Sequence, residues 1–174
     1  MGSLKALSIK QPYAWQIIIG QKPFEYRSWL PGKVTTFLLV SAATPSATDF
    51  GWGLANGLAL AIISIGRVSR EKHYGNYAWP VQVVDLVKPF PVKGRLHFYE
   101  VDDAKITRLP DLTHSLLAYR QDQTSDQAID FINQYQRPLM AIGYRQMPKK
   151  YQKQFEATKS WQAVRELWLK RHAN

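Results

Sequence analysis

Two runs of the chain, VTTFLLVSAA at 34–43 and LALAIISIGRVSR at 58–70, are rich in apolar and β-branched residues and do not alternate cleanly with polar ones. Such runs read as strands covered on both faces. The longest unbroken apolar stretch, Leu58 to Ile63, is far too short to span a bilayer, so the cover must come from the rest of the fold. Gly66 interrupts the second run and marks an expected bulge. Residues 23–29, PFEYRSW, and 95–101, RLHFYEV, alternate as half-buried strands do, with Phe24 and Tyr26 on one face and Glu25 and Arg27 on the other. Residues 80–94 open as a strand and end in a Pro-punctuated stretch, and PLMAIGYRQM at 138–147 is expected as a last strand.

The segment QPYAWQIIIG at 11–20 reads as a short helix, with Pro12 in its first turn and Gly20 at the C′ position. Helices are also expected at 125–136, capped by Thr124 or Ser125, and as one long basic helix over 149–172. Residues 30–33 form a turn, while 44–57 and the aromatic-rich 71–79 are loops. The fold class is therefore α+β: a small mixed β-barrel, or a strongly bent sheet, flanked by an N-terminal helix and C-terminal helices. No repeat or linker divides the 174 residues, so a single domain is expected over 1–174.

With 45% apolar residues and 13% aromatics, the chain is expected to be globular. The absence of cysteine excludes a disulfide framework, a thiolate nucleophile and a cysteine-ligated metal. No signal core or myristoylation pattern opens the sequence, and a cytoplasmic protein without membrane association is expected. The net charge of +10 is uneven, because residues 137–174 carry nine Lys or Arg against Glu156 and Glu166. Such a basic chain attracts polyanions through counterion release from phosphates.

Phosphate-loop, dinucleotide and nucleophile-elbow motifs are missing. Glycines 51, 53 and 57 miss the dinucleotide spacing. Histidines 73, 97, 114 and 172 are scattered, so neither a metal nor another cofactor is expected, and His97 reads as structural. Aromatic residues Tyr13, Trp15, Trp29, Trp52, Tyr74, Tyr77 and Trp79 lie in or beside loops and strand ends. Of these, Trp52 and Tyr74, flanked by glycines, are expected to be exposed and able to stack unpaired bases.

The sequence GQKPFEYRSW fits G-x-K-x-x-E-x-R, with Gly20, Lys22, Glu25 and Arg27 in register and LSIKQPYA before it. This resembles the signature of the ASCH domain family, small modules with a PUA-like barrel. Residues 37–44, 58–68 and 86–94 resemble its later elements, so the likeness covers about residues 4–100. It leaves a basic, partly helical extension over 105–174. The resemblance implies RNA, single-stranded nucleic acid or nucleotide binding in a positive cleft of Lys22, Glu25 and Arg27, joined by Gln11, Ser41 and Lys93 at matched positions. Ser41 stands where many members have histidine. An amidohydrolase branch acts on acetylated cytidine, and a ribonuclease member is also known. In that branch a threonine follows the lysine by three residues, where this chain has Glu25. An enzyme reading would use Lys22 and Glu25 as a metal-independent proton-transfer pair, with Glu71, Asp85 or Glu100 as a further acid. A third reading has the C-terminal helix docking a protein partner.

Overall fold

The computed structural model describes residues 2–44 and 53–173, and everything below concerns these. Six strands run as β1 (Ser3–Ile9), β2 (Phe24–Arg27), β3 (Thr36–Ser41), β4 (Leu58–Ile65), β5 (Tyr77–Pro91) and β6 (Tyr99–Asp102). They form one mixed sheet in the order β2-β5-β4-β3-β1-β6, in which β1 and β3 are parallel and the other pairs antiparallel. The α+β class stands, but the sheet is open and the expected closed barrel is not formed. Its edge strands β2 and β6 have only four residues each and do not pair with one another. Bending comes instead from register shifts between β4 and β5 at Ala59/Ala61 and Ile62/Ile63, where β5 contributes the extra residues. Gly66 lies beyond β4 and is not one of these bulges; its N–H donates to Pro80 O at 2.8 Å.

Both apolar runs are covered as their composition requires. Phe37 to Ser41 and Leu58 to Ile63 are buried at every position. Helix α1 (Tyr13–Ile18) closes one face with Ala14, Ile17 and Ile18, and Gly20 follows it at φ +83°, a left-handed value that suits glycine. The remaining helices are α2 (Pro110–Gln121), α3 (Asp126–Phe131), α4 (Arg137–Gln146), α5 (Lys149–Thr158) and α6 (Trp161–Arg171), with a π-helical turn at Ile132–Gln136 joining α3 to α4.

Three expectations change here. Residues 138–146 are helical rather than a strand, with Leu139, Ile142 and Gly143 at helical spacing. The long basic helix is broken at Lys159, which adopts φ +51°, and Ser160 restarts it by accepting from Ala163 N. Strand 95–101 is shortened to Tyr99–Asp102, because His97 takes φ +57°. The Ser125 cap is present, accepting from Ala128 N.

The C-terminal helices share the sheet's core. Leu116, Phe131, Tyr135 and Leu139 sit in one cluster with α1 and the buried faces of β1, β3 and β4. Trp15 stacks on Phe131 and Tyr135 at 5.9 and 6.5 Å, and the Tyr135 hydroxyl donates to Leu60 O. Arg120 of α2 donates to the last carbonyls of α1, Ile17 O and Ile18 O, as a cation at a helix C-terminus should. No helix among the described residues is long and apolar enough to cross a membrane.

Candidate nucleic-acid interface

Strand β2 has inverted amphipathy. Its register pairs Phe24, Glu25, Tyr26 and Arg27 with Pro80, Ala78 and their neighbours on β5, and puts Glu25 opposite the fully buried Trp79. Glu25 is 6% exposed, while Phe24 and Tyr26 are 37% and 50% exposed. An unpaired carboxylate at that depth would be costly, and the sequence supplies two cations to meet it. Lys22 Nζ donates to Glu25 Oε2 at 3.1 Å, and Arg27 Nε donates to Oε1 at 3.0 Å. Both partners are themselves largely covered, with side chains 17% and 25% exposed.

Each cation is tied down further. Gln16 O accepts from the backbone N–H groups of Gln21 and Lys22, which fixes where the chain leaves α1. Lys22 Nζ also donates to Phe24 O and lies 5.8 Å from the Tyr13 ring and 5.2 Å from that of Tyr26. Arg27 Nη2 reaches Ser8 O of β1 at 3.0 Å, while Nη1 has no acceptor among the described residues. Ser8 Oγ is 2.7 Å from the Tyr99 hydroxyl, whose pKa is pushed up by burial and partly restored by that bond. Gly94 passes so close that a Cβ there would stand 2.6 Å from Ser8 Oγ. The cluster has a net charge of +1, a rigid floor at β1 and β6, and an aromatic rim of Tyr13, Phe24 and Tyr26.

The other expected site residues fall into different places. Gln11 bridges α1 to the segment before β4: its Nε2 donates to Ala55 O at 3.2 Å and its Oε1 accepts from Trp15 N at 3.0 Å. Ser41 is fully buried, and its hydroxyl accepts from Leu58 N and donates to Leu58 O, so it joins β3 to β4. Lys93 is exposed beside Gly94 and lines a groove along β6 with Lys5, Arg95 and Lys105. Tyr74 is fully exposed at φ +52° in a tight turn closed by His73 and Asn76, leading into the strand that pairs with Arg27. Trp52 lies outside the described residues. Among the further acids, Asp85 pairs with Arg108 and Glu100 with Lys5, and Glu71 is exposed; none is bonded to the Lys22 cluster.

Sequence reading missed Ser8, Tyr99 and the outward turn of Tyr26. The Ser8 contact is to a backbone carbonyl, which leaves no mark on residue type. Tyr26 carried a signal: two charges alternating with two aromatics fits either face inward, and only the excess of nearby cations favours burying the carboxylate.

The family model of the ASCH domain matches residues 7–165, well past the point near residue 100 where the resemblance read from the sequence ends. No curated protein matches the chain.

Proposed function

This chain belongs to the ASCH domain family, and on that premise we propose that it binds RNA, single-stranded nucleic acid or a nucleotide through the cleft around Lys22, Glu25 and Arg27. The observation that carries the reading is the buried Glu25 carboxylate, which holds a lysine and an arginine in fixed positions beside exposed rings. An ordinary surface ion pair contributes at most about 1 kcal/mol and needs no burial. Here the carboxylate is desolvated, and both cations are pre-positioned before any ligand arrives. Pre-organised donors of this kind suit phosphate or base carbonyl oxygens. The ring faces of Tyr13, Phe24 and Tyr26 are sequence-tolerant stacking surfaces for unpaired bases, each contributing about 1–3 kcal/mol.

The hydrolase reading rests on the same 3.1 Å contact between Lys22 and Glu25. Against it, both carboxylate oxygens already accept from cations, and the position of the amidohydrolase branch's threonine is occupied by Glu25 itself. Binding is therefore the conclusion.

Fluorescence anisotropy with a labelled RNA single strand tests it. Arg27→Ala is expected to weaken binding about tenfold and to reduce the log–log salt slope by about 0.7, the value for one phosphate contact on a single strand. Wild-type affinity and slope in both Arg27→Ala and Lys22→Ala would sink the reading. Turnover of acetylated cytidine or of RNA without added metal would replace it with the hydrolase.

A further inference from the structure

The two edges of the open sheet are finished differently. At β2 the outward carbonyl of Phe24 is taken up by Lys22 Nζ. At β6 the outer side has no partner strand among the described residues. The bond from the Asp103 N–H to Gly2 O, at 3.2 Å, sets the phase of the ladder between β1 and β6. Tyr99 and Val101 therefore turn their N–H and C=O toward β1, while Glu100 turns both outward. Neither of these two outward groups has a hydrogen-bond partner among the described residues. An edge left in this state is a template for pairing with another chain.

That edge is one wall of a groove of about 590 Å³. Residues 98–102 line it consecutively, as a backbone edge does, and residues 90–93 form the facing wall. Phe90 and Val92 pack on the cluster that holds Tyr99 and Val101, so the groove has apolar surface on a firm base. Leu96, 89% exposed, adds to it. The charges along the groove are unbalanced. Glu100 is paired with Lys5 at 3.1 Å, and Asp102 accepts from Ala104 N. Lys93, Arg95 and Lys105 have no anionic partner among the described residues.

We propose that β6 takes up an extended segment of a protein partner as an added strand, and that the segment alternates acidic and apolar residues. Main-chain bonds to Glu100 would carry the pairing, and side chains at alternate positions would select the sequence. One set of side chains meets Phe90, Val92 and Leu96; the other meets the three uncompensated cations. A nucleic-acid backbone offers acceptors but no row of donors, so it would leave the outward carbonyl unmet. A second copy of this chain would bring the same basic patch against itself, since a two-fold contact is self-complementary. This inference does not rest on the cleft, because none of Lys22, Glu25 and Arg27 lines the groove.

Fluorescence anisotropy of the whole chain with a labelled peptide of alternating glutamate and valine tests it. The peptide is expected to bind saturably, and the same peptide with lysine for glutamate at least about tenfold more weakly. Methylating one alternate set of its backbone nitrogens is expected to abolish binding, whereas methylating the other set is tolerated. Glu100→Pro removes the outward N–H and leaves the β1 ladder intact, so it should weaken binding at least about tenfold. Lys93→Glu combined with Arg95→Glu changes only exposed side chains and should do the same. Arg27→Ala should bind the peptide as wild type does. Peptide binding in a protein that fails to bind RNA supports this groove and overturns only the cleft. No saturable binding, equal affinity for the lysine peptide, indifference to both methylation patterns, or undiminished binding by the Lys93 and Arg95 double variant overturns the proposal. So does displacement of the peptide from Arg27→Ala protein by an RNA single strand, or a dimer in sedimentation that Glu100→Pro dissociates.

Discussion

Glu25 is the residue on which the site depends for its shape. Replacing it with alanine leaves Lys22 and Arg27 close together, largely covered and without their counter-ion. The expected loss is about 2–3 kcal/mol, below the range for fully buried pairs because both cations retain some solvent. Urea denaturation measures it, and Glu25→Gln should recover part of the loss by keeping an acceptor. Tyr135 gives a second test at this scale. Burial raises the pKa of its hydroxyl above the ordinary tyrosine value, so the folded state holds that proton more tightly than the unfolded chain does. The associated stability is complete below about pH 10 and is lost as pH rises beyond it. Tyr99 and Tyr119 are shifted in the same direction by the same cause. Melting temperatures should therefore fall above about pH 10, and Tyr135→Phe should flatten part of that fall. Lys22, Glu25 and Arg27 were legible as a unit because their spacing is local. Ser41 and Lys93 were not separable from them, since only the sheet register shows that Ser41's hydroxyl is taken up by Leu58 and that Lys93 faces another groove.

Among elements, those announced by local chemistry are where the sequence puts them: Pro12 and Gly20 bound α1, and Ser125 starts α3. Strand β1 and helix α2 went unread, β1 because its exposed and buried residues do not alternate regularly, α2 because the polar Thr113 and Ser115 are buried among its apolar Leu112, Leu116 and Tyr119. Thr113 is there for a reason no pattern reveals: its hydroxyl accepts from Leu86 N at 2.9 Å and anchors α2 to β5. Helix α4 is fixed by contact. A Cβ at Gly143 would stand 2.1 Å from Gly53 O, and Gln146 two turns away from α4's start binds both the N–H and the carbonyl of Asn56, at 2.8 and 2.7 Å. Gly143→Ala is accordingly expected to destabilise by about 2–3 kcal/mol, read as a lowered urea midpoint. A neutral outcome would mean that α4 is free to withdraw from the 53–57 segment.

For the whole molecule, the basic tail is a structural half. Ending the chain after residue 105 removes Leu116, Phe131, Tyr135 and Leu139 from the main cluster. At about 1.5–3 kcal/mol for each large apolar side chain, that loss rivals the entire stability of a domain. The shortened chain should lack near-ultraviolet circular dichroism and a cooperative melt. Ending after residue 148 removes α5 and α6, whose Tyr151 and Val164 form a cluster of their own with Met147. That version should fold, with a lower melting temperature. The net charge announced the tail as a binder, but its aromatic residues at helical spacing are what join it to the sheet. The pairing of β1 has a consequence in time. This strand, synthesised before either partner, needs β3 on one side and β6 on the other, with Ser3 paired to Asp102 and Ala6 to both Leu38 and Tyr99. The chain must be synthesised through residue 102 before its second edge is occupied, and further before Phe131 and Tyr135 close over the sheet. Until then the nascent chain carries an open strand that a chaperone, or a neighbouring nascent chain, is free to cover.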